Sequence, residues 1–251
     1  MLVALVFVYF SRQNQSPAKM DIPTQPTDDS ISGVDSITTN NYANTTLEYY
    51  YYIPKKIAKS ATVPFLVMVP GLSGRGQDFV NQQFKDFAKK EGFVIISPSF
   101  IEDTKNWESA TSYQYPKAWS GQALNNILNS FVSKQNIHAS TLYMLGFSAG
   151  AQFVSRYALL YPYYVTVCAF NAAGGTDDPL KYQATKFYVA VGTQDEAIRK
   201  QNAQKFYDLA RQQGIDVTFK EYENVGHALS AEEINDELAF FSRIQMMSKN
   251  K

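Results

Sequence analysis

The sequence has little cysteine, little histidine and no surplus of charge. Cys168 is the single cysteine, so no intramolecular disulfide and no cysteine-based metal site can be assembled. The 23 basic residues equal the 23 acidic residues, and this balance does not favour nucleic acid as a partner. Only two histidines occur, His138 and His227, so any mechanism that needs an imidazole must use one of them.

The first 45 residues differ in character from the rest of the chain. Residues 1–12 contain an apolar run over 1–10, shorter than the roughly 20 residues that cross a bilayer. Residues 13–45 are polar and aperiodic, which predicts a flexible linker outside the fold. We expect the apolar run to be a signal or anchor that gives export or a loose membrane attachment. The alternative is a short tail packed on the domain of a cytoplasmic protein.

From residue 46 onward, apolar runs alternate with helical periodicities. The runs predict strands at 46–53, 65–69, 93–97, 141–145, 165–170, 187–191 and 217–222. Apolar residues at helical spacing predict helices at 77–90, 118–134, 149–160, 197–211 and 231–246. Alternating strands and helices predict one α/β domain over 46–251, with a mostly parallel twisted sheet and helices on both faces.

Gly146-Phe147-Ser148-Ala149-Gly150 has the pattern G-x-S-x-G. A predicted strand precedes it and a predicted helix follows it, which is the strand–turn–helix setting that this motif requires. A serine on so sharp a turn needs small neighbours, and the helix N-terminus beneath it favours developing negative charge. Ser148 is therefore the candidate nucleophile, and a Gly/Ser turn without chemistry is the alternative.

A serine hydroxyl needs a base with a pKa near 7 to attack at neutral pH. His227 follows the last predicted strand, and loops at the carboxyl ends of parallel strands share one edge of the sheet. His227 is therefore expected beside Ser148. His138 precedes the strand that leads to Ser148 and is expected on a surface turn.

An acidic residue should orient the histidine. In α/β folds that carry the G-x-S-x-G motif, this residue lies between the serine and the histidine in the sequence. Asp195 follows the strand predicted at 187–191 and is the first candidate. Glu196 is its nearest rival, and Asp177 and Asp178 are weaker candidates.

Two backbone N–H groups should stabilise a tetrahedral intermediate. One is the amide of Ala149, which follows the candidate nucleophile. The other should come from the turn after the strand predicted at 65–69, where Pro70 has no N–H, so that Leu72 is the first choice and Gly71 the second.

Several apolar groups are expected to contact a substrate near these residues. Gly71, Phe147 and Trp119 are the candidates. Trp119 belongs to a set of aromatic residues after the strand predicted at 93–97, which either line a pocket or pack in the core: Trp107, Tyr113, Tyr115 and Trp119.

With these residues in place, the chain over 46–245 resembles the α/β-hydrolase superfamily. The segment 146–162, GFSAGAQFVSRYALLYP, followed by 165–173, is similar to small lidless esterases of the polyhydroxybutyrate-depolymerase and feruloyl-esterase type. Those relatives usually have His-Gly where this chain has Pro70-Gly71. The resemblance implies hydrolysis of carboxylic esters through an acyl-enzyme, by a Ser-His-Asp triad without metal or cofactor.

Caps in this fold are usually inserted after the strand predicted at 165–170. Here residues 171–186 are too few for a cap domain, so we expect an open site that suits a soluble ester or the end of a polymer. The same triad serves serine peptidases and acyltransferases, and an inactive hydrolase fold can act in binding. These alternatives stay open at the level of the sequence.

Overall fold

The computed structural model describes residues 29–39, 46–100, 107–181 and 183–249. The strands are β1 Ile31–Thr38, β2 Thr46–Ile53, β3 Thr62–Val69, β4 Val94–Pro98, β5 His138–Phe147, β6 Val165–Asn171, β7 Lys186–Gly192 and β8 Val217–Tyr222. The helices are α1 Gly76–Phe79, α2 Gln82–Glu91, α3 Ser120–Gln135, α4 Ala149–Leu160, α5 Ala197–Gln212 and α6 Ala231–Lys249.

The eight strands of the described ranges form one sheet in the order β1-β2-β4-β3-β5-β6-β7-β8. Strand β2 pairs antiparallel with both β1 and β4, and all other neighbours pair parallel. Helices α3, α4 and α5 cover one face of the sheet, and α2 and α6 cover the other. The predicted α/β-hydrolase fold, a mostly parallel sheet covered on both faces, is confirmed.

Burial on both faces explains why the central strands contain short, continuous apolar runs. All five residues of β4 are buried, as are the last five of β3. Cys168 lies in this core on β6, and burial raises the pKa of its thiol well above the ordinary value.

The prediction of a linker over 13–45 was wrong for part of that segment, because residues 31–38 form strand β1. This strand pairs with β2 along its full length, and its alternate residues Gly33, Asp35 and Ile37 are half buried. An edge strand buries little, so its inward face can hold glycine and aspartate, and no apolar alternation marks it. A Cβ at Gly33 would lie 2.7 Å from the hydroxyl of Tyr51, so glycine makes room for that ring.

The helix predicted at 77–90 is two helices, α1 and α2. The break falls at Asn81, whose side chain accepts a hydrogen bond from the amide of Phe84 at 3.3 Å. Asparagine is a strong N-cap residue, and this local bond outweighs the continuous apolar spacing across the break.

The predicted signal or anchor in residues 1–12 lies outside the described residues, as do 13–28 and 40–45 of the predicted linker. Within the described ranges, no helix is both long and apolar enough to cross a bilayer. Between β6 and β7, residues 172–181 and 183–185 contain no helix and add no cap over the sheet.

Candidate active site

Ser148 lies on a strained turn between β5 and α4. Its φ of 57° and ψ of −116° fall outside the backbone regions that residues with a Cβ prefer. Its amide donates to the carbonyl of Asn171 at 2.9 Å. Crowding explains the flanking glycines. A Cβ at Gly146 would lie 2.5 Å from the carbonyl oxygen of Gly150, and a Cβ at Gly150 would lie 2.1 Å from that of Val69.

The structure brings Ser148, His227 and Asp195 together. His227 Nε2 lies 2.9 Å from Ser148 Oγ, and His227 Nδ1 lies 3.0 Å from Asp195 Oδ2. The carboxylate of Asp195 is fully buried, whereas the imidazole is 36% exposed. With the ring proton on Nδ1, His227 donates to Asp195, and Nε2 accepts the hydroxyl proton of Ser148.

The loops that carry Asp195 and His227 are joined to each other. The amide of Gln194 donates to the carbonyl of Val225 at 2.9 Å. A Cβ at Gly192 would lie 2.1 Å from that same carbonyl oxygen, so glycine at the end of β7 allows the two loops to approach. The amide of Thr193 donates to the carbonyl of Tyr222 at 2.9 Å as well, so more than one hydrogen bond holds the two loops together.

The rival acidic residues point elsewhere. Glu196 forms an ion pair with Arg199, and its amide donates to Asp195 Oδ1 at 2.7 Å. Asp177 pairs with Arg156 and Asp178 with Lys205, as separate ion pairs at 3.0 and 2.8 Å. His138 is the first residue of β5 and lies exposed at the opposite end of that strand from Ser148.

A cavity of about 350 Å³ opens beside Ser148. Leu72 and Ala149, which carry the two candidate oxyanion amides, both line it. Ala149 is the first residue of α4, where backbone N–H groups have no partner within the helix. Gly71 approaches the nucleophile closely, since a Cβ there would lie 3.4 Å from the Cβ of Ser148. The ring of Phe147 packs on the imidazole of His227, with centroids 4.9 Å apart.

The predicted aromatic set divides between the cavity and the core. Trp107 and Tyr115 line the cavity. Trp119, the predicted substrate contact, instead donates from Nε1 to the carbonyl of Thr111 at 2.7 Å and packs edge-on against Phe100. Trp119 is partly buried and packs against the apolar core on the face of the sheet that carries α3, α4 and α5.

Sequence reasoning missed the polar wall of the cavity. Gln114, Gln152 and Arg199 line it together with Gly174. Arg199 lies one helical turn after Asp195, with Nη1 3.8 Å from Asp195 Oδ1, and this i,i+4 spacing of opposite charges is the signal that could have revealed it. Glutamine at 114 lies in an irregular segment that carries no comparable pattern.

A buried carboxyl group lies behind the site. Glu233 on α6 is 1% exposed, and burial, with the nearby charge of Asp195, raises its pKa to about 7. In the part of the chain that the structure describes, no group of three or more His, Cys, Asp or Glu residues is arranged to hold a metal ion.

The sheet order and the strained strand–turn–helix at Ser148 define the α/β-hydrolase class. The chain belongs to the dienelactone hydrolase family, whose model matches residues 47–244. Acetylxylan esterase A of Emericella nidulans is 23% identical over 121 residues, which are 47% of this chain and 39% of that protein. This chain therefore aligns with less than half of that relative's length.

Solved structures share the fold. A ferulic acid esterase superposes with a TM-score of 0.67 at 15% identity, over 86% of this chain and 98% of its own. A poly(3-hydroxybutyrate) depolymerase from Bordetella parapertussis superposes with a TM-score of 0.61 at 16% identity, over 84% of this chain and 89% of its own. The resemblance to esterases of this type, drawn from the sequence, is confirmed.

Proposed function

We propose that this protein is a serine hydrolase that cleaves carboxylic esters through an acyl-enzyme. Ser148 is the nucleophile, His227 the general base and Asp195 the residue that orients the imidazole. The observation that carries this proposal is the continuous chain of contacts from Asp195 Oδ2 through both ring nitrogens to Ser148 Oγ, at 3.0 and 2.9 Å.

The chemistry follows from that arrangement. Ser148 Oγ bonds to the carbonyl carbon of the ester while its proton passes to His227 Nε2. The amides of Ala149 and Leu72 stabilise the oxyanion of the tetrahedral intermediate. His227 then returns the proton to the departing alcohol, which leaves an ester between Ser148 and the acyl group. Water, deprotonated by the same imidazole, releases the acid and restores the hydroxyl.

The cavity beside Ser148 favours substrates with an accessible ester. The described residues between β6 and β7 form no cap over the sheet, so the alcohol side of a bulky ester can remain in solvent. Acetylxylan and ferulic acid esterases among the relatives indicate acetyl and feruloyl esters as the first substrates to examine. With a signal or anchor in residues 1–12, the protein would meet such substrates outside the cytoplasm.

Labelling with a fluorophosphonate tests the proposal, because the probe requires an activated serine. Wild type should be labelled and should hydrolyse p-nitrophenyl acetate, and Ser148→Ala should do neither. Ser133→Ala, which changes an exposed serine on α3, is the matched control and should behave as wild type. Labelling that persists in Ser148→Ala would overturn the assignment.

A substrate panel separates the related reactions. We expect turnover of p-nitrophenyl acetate and methyl ferulate and none of a peptide p-nitroanilide. Preferred cleavage of the anilide would identify a peptidase. Failure of wild-type protein to react with the fluorophosphonate would favour an inactive fold that acts in binding.

A further inference from the structure

A second and larger cavity lies at the other end of α4 from Ser148. Its volume is about 550 Å³, and its wall includes Tyr157, Tyr161, Tyr163 and Tyr164, so we call it the tyrosine groove. Tyr157 is the groove residue nearest to Ser148 along α4, and at 1.5 Å per residue the nine positions between them correspond to about 14 Å. The groove is therefore distinct from the candidate active site.

The wall of the tyrosine groove carries no charge. None of the described residues that line it is Asp, Glu, Lys, Arg or His. Its polar side chains are amides and hydroxyls from α3, β5 and β6: Gln122, Asn125, Asn129, Ser140, Thr141 and Thr166. An ion bound here would lose hydration without gaining a counter-charge, so the wall favours an uncharged ligand with many hydroxyl groups.

Two of the tyrosines are held out into solvent. The side chains of Tyr163 and Tyr164 are 87% and 70% exposed, side by side in the turn between α4 and β6. That turn is held by a bond from the amide of Tyr164 to the carbonyl of Tyr161 at 3.1 Å, and Pro162 restricts its backbone. The backbone that carries the two rings is thus held in a turn, so that less backbone entropy is lost when a ligand binds.

The inner rings continue this surface into the groove. The rings of Tyr157 and Tyr161 lie 4.6 Å apart, and those of Tyr161 and Tyr164 lie 6.4 Å apart and nearly perpendicular. The hydroxyl of Tyr157 donates to Asn125 Oδ1 at 2.6 Å and fixes this amide in the wall. Aromatic faces therefore stand next to ordered amide groups along one continuous surface.

This combination matches the two chemical sides of a sugar ring. The C–H face of a pyranose packs on an aromatic face, while its hydroxyl groups exchange hydrogen bonds with amides and hydroxyls. We propose that the tyrosine groove binds an uncharged polysaccharide chain and holds the protein on a polymer while Ser148 remains free. Binding at the groove does not depend on the reaction proposed for Ser148.

Affinity electrophoresis in native gels tests this inference. Gels that contain arabinoxylan, mixed-linkage β-glucan or glucomannan should retard wild type, whereas a gel with polygalacturonate should not. Tyr163→Ala/Tyr164→Ala should raise the dissociation constant for the retarding polymer by roughly tenfold or more, because two aromatic contacts are lost. Thermal unfolding of the variant, compared with wild type, establishes that it is folded.

Two controls give the result its meaning. Met246→Ala/Met247→Ala removes another adjacent pair of exposed apolar side chains, 57% and 54% exposed on α6, and should leave retardation unchanged. Ser148→Ala should also be retarded as wild type, since the groove acts without the nucleophile. Loss of esterase activity with retained retardation would thus separate the two proposals.

Three outcomes would overturn the inference. One is equal mobility of wild type with and without each uncharged polymer. Another is retardation that survives in Tyr163→Ala/Tyr164→Ala. The third is that wild type self-associates in sedimentation, that Tyr163→Ala/Tyr164→Ala abolishes this self-association, and that no polymer retards wild type. The groove would then bind a second copy of the chain.

Discussion

Replacing Glu233 by glutamine tests the electrostatics behind the candidate site. Glu233 is the third residue of α6, and its carboxylate accepts from the amide of Ser230 at 3.3 Å. The amide of Glu233 in turn donates to the hydroxyl of Ser230 at 3.2 Å, which completes a capping box. Glutamine preserves both this motif and the side-chain volume, so the substitution removes mainly the ability to ionise.

The expected effect follows from the raised pKa. Burial and the charge of Asp195 raise the pKa of Glu233 from 4.5 to about 7, which corresponds to about 3 kcal/mol. The folded state binds this proton more tightly than the unfolded state does. The resulting stability is fully present below about pH 4.5 and is lost as the pH rises through about 7. Glu237, fully buried one turn further along α6, also has a raised pKa, first from burial and second from the charge of Glu233. Glu233→Gln removes this second cause, so the measured difference includes the response of Glu237.

Urea unfolding of wild type and Glu233→Gln at about pH 5 and about pH 8 measures the difference. Between these values, the free energy of unfolding of wild type should fall by about 2.5 kcal/mol relative to the variant. Glu232→Gln, whose side chain is 72% exposed on the same helical turn, should show no such change. A Glu233→Gln difference that is the same at both pH values, within about 0.5 kcal/mol, would refute the reasoning.

Three further outcomes are expected. Asp195→Asn should lower kcat by about 10³–10⁴ because the imidazole loses its orientation, and unchanged turnover of p-nitrophenyl acetate would contradict this role. Gly150→Ala should destabilise the fold by about 1–3 kcal/mol, since its Cβ would lie 2.1 Å from a backbone oxygen of β3. Gly226→Ala, where a Cβ meets nothing within 4 Å, is the matched control in thermal unfolding. A chain that begins at residue 29 should not aggregate in light scattering, whereas one that begins at residue 46 exposes the edge of β2 and should aggregate. Equal behaviour of the two chains would show that β1 is dispensable.

The candidate nucleophile and base could be read from the sequence because their signals are local. The pattern around Ser148 lies within one strand–turn–helix, and only two histidines compete for the second role. Apolar periodicity identified seven of the eight strands that the structure describes, since buried parallel strands need nearly continuous apolar runs. These features follow from steric crowding and burial that act over a few residues.

Other features depended on segments that are distant in the sequence. Asp195 and Glu196 are adjacent, and the pairing of the loops that follow β7 and β8 brings the first of them, and not the second, within 3.0 Å of His227. Trp107 lines the cavity while Trp119 packs in the core, although both lie in the same irregular segment.

The sequence by itself determined the class of fold, Ser148 as candidate nucleophile and His227 as its partner. Only the tertiary structure decided that residues 31–38 join the sheet, which carboxylate reaches the imidazole, and that tyrosines after α4 share a groove with amides of α3. The physical reason is that periodicity and turn chemistry are set by neighbours along the chain. The direction of a loop side chain is set instead by whichever distant element can satisfy its polar atoms or exclude it from water.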